Sequence, residues 1–171
     1  RRQDQLIIDA LNGSSTSLSV AKTVVTTGSA TNSNLNVGKM IEAKKLLDKG
    51  NVPSEDRCLV IHANNVAGLL ADERAISNDF AALLNGEVTA MLGFNIIIIG
   101  DRAEGGLPLS TNDRTCFAFH KSAMGMAEGM GIKTEINYVP EKTSFLVNSM
   151  FSAGAVAIDD EGIVKITCDE S

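Results

Sequence analysis

Apolar residues along this chain recur at two spacings, one typical of helices and the other typical of strands. Over Arg2–Leu11 they fall three and four residues apart, which places them on one face of an amphipathic helix. Val37–Lys49 carries a second such stripe that includes Ile41, with Asn36 before it as a suitable N-cap and Gly50 after it as a helix end. Three shorter stretches also predict helices: Val66–Leu70, Phe80–Leu84 and Lys121–Met130.

Short apolar runs and strictly alternating stretches predict strands. Cys58–Ile61 is wholly apolar, which favours a strand covered on both faces. Phe94–Ile99 predicts a second apolar strand and Thr115–His120 a third. Ile132–Phe151 alternates around a turn near Pro140 and predicts a long antiparallel hairpin with one apolar face. A second hairpin is predicted to join Ala155–Ile158 to Ile163–Cys168. Short helices among mixed strands, followed by antiparallel ribbons, predict an α+β fold.

The remaining segments are polar. Residues 13–36 are rich in Ser, Thr, Asn and Gly and predict a linker, with a short strand over Val20–Thr27. Gly100–Gly106 predicts an exposed loop. The opening helix has a stop signal at Asn12-Gly13 but no capping residue before it, so we expect it to be the C-terminal end of a longer helix.

Composition and charge exclude several classes of function. Hydrophobic residues make up 44% of the 171 residues, which is enough for a sizeable core. The net charge is −6 and no basic stripe is present, so we expect no sequence-specific nucleic-acid binding. The longest apolar run is strand length, far short of the ~18 residues of a membrane helix. Three widely spaced cysteines indicate buried, reduced thiols.

One constellation has the composition of a zinc site. Cys58 precedes His62 by four residues and Cys116 precedes His120 by four, and two Cys with two His can bind zinc tetrahedrally. On a strand, however, residues four apart are separated by ~13 Å, so neither pair alone can hold one metal ion. Phosphate-loop spacings and a nucleophile elbow are also missing. The sequence therefore predicts no enzyme, no metal and no cofactor.

Taken in order, the segments resemble the major capsid proteins of tailed bacteriophages, which have the Hong Kong 97-type shell fold. The resemblance covers nearly the whole chain and rests on the order of several weak motifs. Its carriers are Arg2–Leu11, Lys44–Ile61 with its Asn51–Arg57 link, Gly86–Ile99, Phe119–Ala123, Tyr138–Thr143 and Gly154–Ile158.

This resemblance implies a division of the chain into two lobes. Residues 1–35 would hold the end of the spine helix and a linker of the peripheral domain, and 36–131 the axial domain. Residues 132–152 would form the peripheral hairpin, and 153–171 would return to the axial domain. The family's N-terminal arm and extended loop precede the spine helix, so we expect this chain to be an N-terminally truncated piece.

The resemblance also implies partners and a contact site. The subunit would assemble with itself into pentamers and hexamers of an icosahedral shell that encloses DNA, with head proteins such as scaffold or portal as further partners. It would be assembled in the cytoplasm of a bacterial host and reside in the virion of a phage or prophage. The hairpin tip would contact neighbouring subunits through Tyr138, Val139, Pro140, Glu141 and Lys142.

Three alternatives stay open at this point. The same fold could form an encapsulin-type compartment that holds a cargo enzyme. The Cys/His pairs would suit a metal-binding domain or an enzyme. The Gly100–Gly106 loop would suit a module that binds a small ligand.

Overall fold

The computed structural model describes residues 1–71 and 90–171. Within them, none of the helices combines the length and the apolar character needed to cross a bilayer. The predicted helix at Phe80–Leu84 lies outside the described residues. The helices are α1 (Arg2–Gly13), α2 (Val37–Lys49) and α3 (Ala63–Leu70). The strands are β1 (Ser19–Val20), β2 (Arg57–His62), β3 (Ala90–Met91), β4 (Phe94–Ile99), β5 (Leu109–Ser110), β6 (Asp113–His120), β7 (Met124–Val139), β8 (Ser144–Ala157) and β9 (Ile163–Asp169).

Two separate sheets account for the described strands. Seven strands form a mixed sheet in the order β1-β9-β6-β2-β4-β3, with β5 paired to β6. Strand β2 runs parallel to β4 and antiparallel to β6, while β9 runs antiparallel to β6 and parallel to β1. Strands β7 and β8 form a two-stranded antiparallel ribbon of their own. The predicted α+β class, with a mixed sheet and a long hairpin, is confirmed.

Helix α2 forms because its sequence supplies both a cap and an apolar stripe. The Asn36 side chain accepts a hydrogen bond from the backbone N–H of Lys39 at 2.9 Å, as predicted. Met40, Ala43 and Leu47 are fully buried in the core. Ile41 was predicted to share this stripe, but its position turns it outward and leaves it 46% exposed. The prediction for Ile41 is therefore wrong.

The polar segment before α2 is held in place by that same cap residue. Asn36 Nδ2 donates to the carbonyl of Val24 at 2.9 Å, and the backbone N–H of Ser33 donates to the carbonyl of Lys22 at 3.0 Å. Only Ser19–Val20 of the segment pairs as a strand. Side-chain and isolated backbone hydrogen bonds thus take the place of the longer strand that the sequence predicts.

The helix predicted at Lys121–Met130 is wrong. Lys121–Ala123 forms a single 3-10 turn, and β7 begins at Met124. Glycines weaken a helix here, and Gly125 pairs with Val156 of β8 instead. A Cβ at Gly125 would lie 2.8 Å from the side chain of Ile158, the residue directly after β8, and 3.6 Å from that of Val156 in β8, so the opposite segment closely covers this position. The ribbon is consequently longer than the predicted hairpin.

The second predicted hairpin is also wrong. Ala155–Ala157 continues β8 and pairs with Met124–Met126, whereas β9 lies between β1 and β6. Ile163, Val164 and Ile166 of β9 are all fully buried. Consecutive apolar residues need cover on both faces, which the middle of the large sheet provides and a two-stranded ribbon does not.

Candidate assembly surfaces and a buried polar cluster

The hairpin tip lies at the exposed end of the ribbon. A 3-10 turn formed by Pro140–Lys142 links β7 to β8, and Thr143 takes a left-handed conformation with φ of 51°. The backbone N–H of Thr143 donates to the carbonyl of Pro140 at 3.3 Å. The five predicted contact residues, Tyr138, Val139, Pro140, Glu141 and Lys142, therefore lie together, and all but the half-buried Val139 are exposed.

Next to the tip, the ribbon has one apolar face. Ile136 pairs with Val147 and Tyr138 pairs with Phe145, and directly opposed residues of a ribbon share a face. The Tyr138 and Phe145 rings pack at a centroid distance of 5.3 Å and an interplanar angle of 58°. These four side chains, which we call the apolar ribbon face, are 53–72% exposed. Contiguous exposed apolar surface of this kind is typical of interaction sites.

A cavity of about 310 Å³ separates the ribbon from the start of α1. Its walls combine the first turn of the helix with apolar side chains of the ribbon. The lining residues are Arg1, Arg2, Gln3, Ile132, Ser149, Met150 and Phe151. The cavity thus lies where α1 packs against β8.

The link between α2 and β2 is organised by a buried arginine. Arg57 is 2% exposed, and its guanidinium donates to the carbonyls of Val52 and Pro53. A third contact joins Arg57 Nη1 to Asp48 Oδ1 of α2 at 2.7 Å. The planar, five-donor guanidinium suits this role because it can satisfy several acceptors at once. The Asn51–Arg57 link, which is part of the family resemblance, is therefore a turn held by hydrogen bonds.

Both histidines act as N-caps of the helical turn that follows their strand. His62 Nδ1 accepts from the backbone N–H of Asn64 at 3.2 Å, and His120 Nδ1 accepts from Ser122 at 3.2 Å. Cys116 Sγ instead donates to Asn65 Oδ1 at 3.2 Å. Among the described residues, no group of three or more His, Cys, Asp or Glu is placed to hold a metal ion.

A buried polar cluster lies where β2 and β4 end, and sequence reasoning missed it. Asn65 of α3, which is fully buried, donates to Asn34 Oδ1 at 2.7 Å and to Glu170 Oε1 at 3.1 Å. Arg114 Nε donates to the same Glu170 oxygen at 2.7 Å. His62 Nδ1 lies 3.8 Å from this oxygen. The only sequence signal for the cluster was that polar residues come directly after apolar strands. Glu170 lies far along the chain from the other members, so this signal did not connect them.

The Gly100–Gly106 loop connects this cluster to α1. The backbone N–H of Gly106 donates to Gln5 Oε1 at 2.8 Å, and Gln5 Nε2 donates to the Gly106 carbonyl at 3.2 Å. Arg102 Nη1 binds Asp4 Oδ2 at 3.1 Å. On the same loop, Asp101 Oδ1 lies 3.2 Å from His62 Nε2. Although the loop is largely exposed, as predicted, its two ends are attached to the helix and to the cluster.

The buried thiols lie in the large sheet beside an equally buried lysine. Cys116 and Cys168 are fully buried on neighbouring strands, and the interaction with the Cys168 thiol together with burial raises the pKa of Cys116 well above its usual value. Lys39 is also fully buried, and burial lowers its pKa. Its ammonium donates to the carbonyls of Ser33 and Thr167, which ties α2 to β9. These contacts give Lys39 a structural role.

Comparison with known proteins identifies the class to which this chain belongs. A family model described as phage capsid protein matches residues 1–170. The chain therefore belongs to the phage capsid protein family. Among curated proteins, no significant match is found.

Solved structures show the same fold. One from Mycobacterium phage Che8 shares 22% identity with a TM-score of 0.69, covering 96% of this chain and 57% of that one. The capsid of Helicobacter pylori bacteriophage KHP30 shares 12% with a TM-score of 0.74, covering 99% and 65%. The SrpI encapsulin complex from Synechococcus elongatus shares 14% with a TM-score of 0.58, covering 99% and 61%. The Hong Kong 97-type fold is thereby confirmed, and the chain spans less than two thirds of each of these subunits.

Proposed function

We propose that this chain is the body of a major capsid subunit that assembles with copies of itself into the icosahedral shell of a phage or prophage. The observation that carries the proposal is the apolar ribbon face. Four large apolar side chains stay 53–72% exposed in the single subunit, although the same chain buries a full core elsewhere. A shell subunit would cover such a face with its neighbours. The role is structural, with no catalytic step.

The lobes expected from the family resemblance fit this role. Residues 36–131 and 153–171 would form the axial domain, and residues 1–35 and 132–152 the peripheral domain. The tip from Tyr138 to Lys142 would contact neighbouring subunits near three-fold axes. Assembly in the bacterial cytoplasm, with scaffold and portal proteins as further partners, completes the proposal.

Variants of the tip test the contact. Pro140→Gly and Lys142→Glu alter an exposed turn, so we expect the subunit to fold normally while the full-length protein yields fewer particles. Particle yield by sedimentation and electron microscopy, with circular dichroism of the unassembled subunit, measures both effects. Normal particle yield from both variants would show that the tip is not part of the interface.

Variants of the apolar ribbon face test the surface independently of the tip. Ile136→Thr together with Val147→Thr keeps β-branched residues suited to strands but removes apolar area, so assembly should fall. Asn137→Thr, on the opposite face of the same strand, is the matched control and should assemble normally. Equal yields from the double variant and the control would contradict the proposal.

A compartment shell of the encapsulin type is the second candidate. It rests on the similarity to the SrpI encapsulin complex, whose TM-score of 0.58 is lower than the 0.74 of the KHP30 capsid. The contents of purified particles distinguish the two candidates. Nuclease-protected DNA inside the particles would support the phage shell, and a packaged enzyme without DNA would support the compartment.

A further inference from the structure

A second exposed apolar patch lies on the ribbon, at its base and on its more exposed face. Gly125 pairs with Val156 and Ala127 pairs with Gly154, so these four residues share one face. A Cβ at Gly125 would lie 2.8 Å from Ile158 Cδ1 and 3.6 Å from Val156 Cγ1, so both side chains lie over this glycine. Val156 is 60% exposed and Ile158 is 68% exposed, and Ala127 and Gly154 are exposed as well. We call these five residues the ribbon base patch.

The ribbon base patch and the apolar ribbon face lie on opposite faces of the ribbon and toward its opposite ends. The irregularities in strand pairing insert extra residues in β7 only, so the side chains of β8 alternate regularly between the two faces. Val147 of the apolar ribbon face and Gly154 of the ribbon base patch therefore point to opposite sides. They are also about 23 Å apart along the strand. A single subunit consequently cannot bring its own two surfaces together.

We propose that the apolar ribbon face of one subunit packs on the ribbon base patch of a second copy of the same chain, in a head-to-tail contact. This inference rests on the proposed role as a shell subunit, and it names the surface that covers the apolar ribbon face. A head-to-tail contact joins two different surfaces, and its repetition around an axis closes into a ring. Each subunit carries one surface of each kind, so a single type of contact covers both.

The shapes of the two surfaces fit each other. Tyr138 and Phe145 form a packed pair of rings on the apolar ribbon face, with centroids 5.3 Å apart. The ribbon base patch is flat at Gly154 and Ala127, because these residues have at most a methyl group, and nothing lies within 4 Å of a Cβ built at Gly154. This flat area leaves room for the two rings. Neither surface contains a charged residue, so the contact buries apolar area without removing a charge from water.

Charges beside the two surfaces are complementary. Ile158 is followed directly by Asp159–Glu161, a turn of three exposed acidic residues. Beside the apolar ribbon face, the exposed Lys142 is the one basic residue of the hairpin tip. Attraction between Lys142 of one copy and the acidic turn of the next would orient the tip toward the neighbour's base, and Glu141 offsets part of this attraction. The charges thus favour the head-to-tail arrangement over contact between two tips.

Disulfide trapping in assembled particles of the full-length protein tests the contact. In a Cys58→Ser background, which leaves only the buried Cys116 and Cys168, Val147→Cys with Gly154→Cys places one new thiol on each surface. The two thiols are too far apart to bond within one subunit. Mild oxidation with oxidised glutathione should therefore link each subunit to two neighbours, and non-reducing gels should show species larger than dimers.

The matched control is Asn148→Cys with Gly154→Cys in the same background. Asn148 lies next to Val147 on β8 but points to the other face, so this pair should give no species larger than dimers. A blocking variant adds an independent measurement. Gly154→Arg has open space around its new Cβ, so circular dichroism of the subunit should stay unchanged while particle yield falls severalfold. Asn148→Arg adds the same charge farther along the same face and should assemble normally.

Several outcomes would overturn the inference while leaving the proposed function intact. Particles of the Val147→Cys, Gly154→Cys protein that show no more cross-linking than the control would mean that the two surfaces do not meet. Efficient dimer formation by Val147→Cys alone would mean that two apolar ribbon faces pack on each other instead. Normal particle yield from Gly154→Arg would exclude the ribbon base patch. Failure of the unaltered full-length protein to form particles would contradict the proposed function itself, and this contact with it.

Discussion

Individual polar side chains in this chain, most of them buried, serve as caps and clamps. His62 and His120 cap the turns after their strands, Asn36 caps α2, and Arg57 satisfies two carbonyls of a tight link. Each such group is kept because a buried carbonyl or N–H without a partner costs free energy. The two histidines that suggested metal chemistry in the sequence therefore cap the first turns of the helical segments after their strands.

Arg57 provides the first prediction at this scale. Arg57→Met keeps a long apolar stem but leaves the carbonyls of Val52 and Pro53 without their donor, so the free energy of unfolding should fall by about 2–4 kcal/mol. Urea unfolding followed by circular dichroism measures the change. Asp48→Asn removes only the half-exposed partner and should cost less than about 1 kcal/mol. A similar loss in both variants would assign the effect to the ion pair instead.

At the scale of elements, close packing decides where glycine is required. A Cβ at Gly38 of α2 would lie 2.8 Å from the carbonyl oxygen of Val25, a backbone atom that cannot easily move. At Gly13, the last residue of α1, nothing lies within 4 Å of such a Cβ. Helix propensity favours Ala at both positions, so the effect of alanine at the two positions differs only because of packing.

Alanine substitution at these two glycines is the second prediction. Gly38→Ala should lower the free energy of unfolding by about 1–3 kcal/mol, since the overlap outweighs the gain in helix propensity. Gly13→Ala should leave it unchanged or raise it by up to about 1 kcal/mol. Thermal and urea unfolding of the pair test this, and stabilisation by Gly38→Ala would show that the segment before α2 can move aside.

At the scale of the whole molecule, β9 closes the sheet. It joins the C-terminal end of the chain to β1 near the start and to β6 in the middle, so the sheet forms only when distant segments meet. Glu170, one residue after β9, then completes the buried polar cluster. The large sheet should therefore open as one unit.

Thiol labelling tests this cooperativity. Cys116 and Cys168 lie fully buried on β6 and β9, whereas Cys58 is half-buried near the start of β2. With an alkylating reagent near pH 8, we expect Cys58 to react first and the other two to react together, at the rate of global unfolding. Mass spectrometry of digested samples measures the three rates. Early labelling of Cys168 alone would mean that β9 detaches from a sheet that otherwise stays folded.

The sequence by itself determined the local elements whose signals are contained in a few neighbouring residues. Asn36 and Gly50 mark the two ends of α2, the apolar run at Cys58–Ile61 predicts a buried strand, and alternation around Pro140 predicts the hairpin. Such signals depend on backbone geometry and on the spacing of side chains along one element. The order of these segments was also enough to suggest the family.

Only the tertiary structure decided which strand pairs with which and which side chains meet. Ile163–Asp169 follows β8 closely in sequence but pairs with β6 and β1, because its two apolar faces need cover that only the large sheet offers. Met124–Gly131 becomes strand because β8 supplies its partner. The cluster of His62, Asp101, Arg114 and Glu170 draws on four separate segments. No local pattern encodes such a meeting, since it depends on contacts between residues up to about a hundred positions apart.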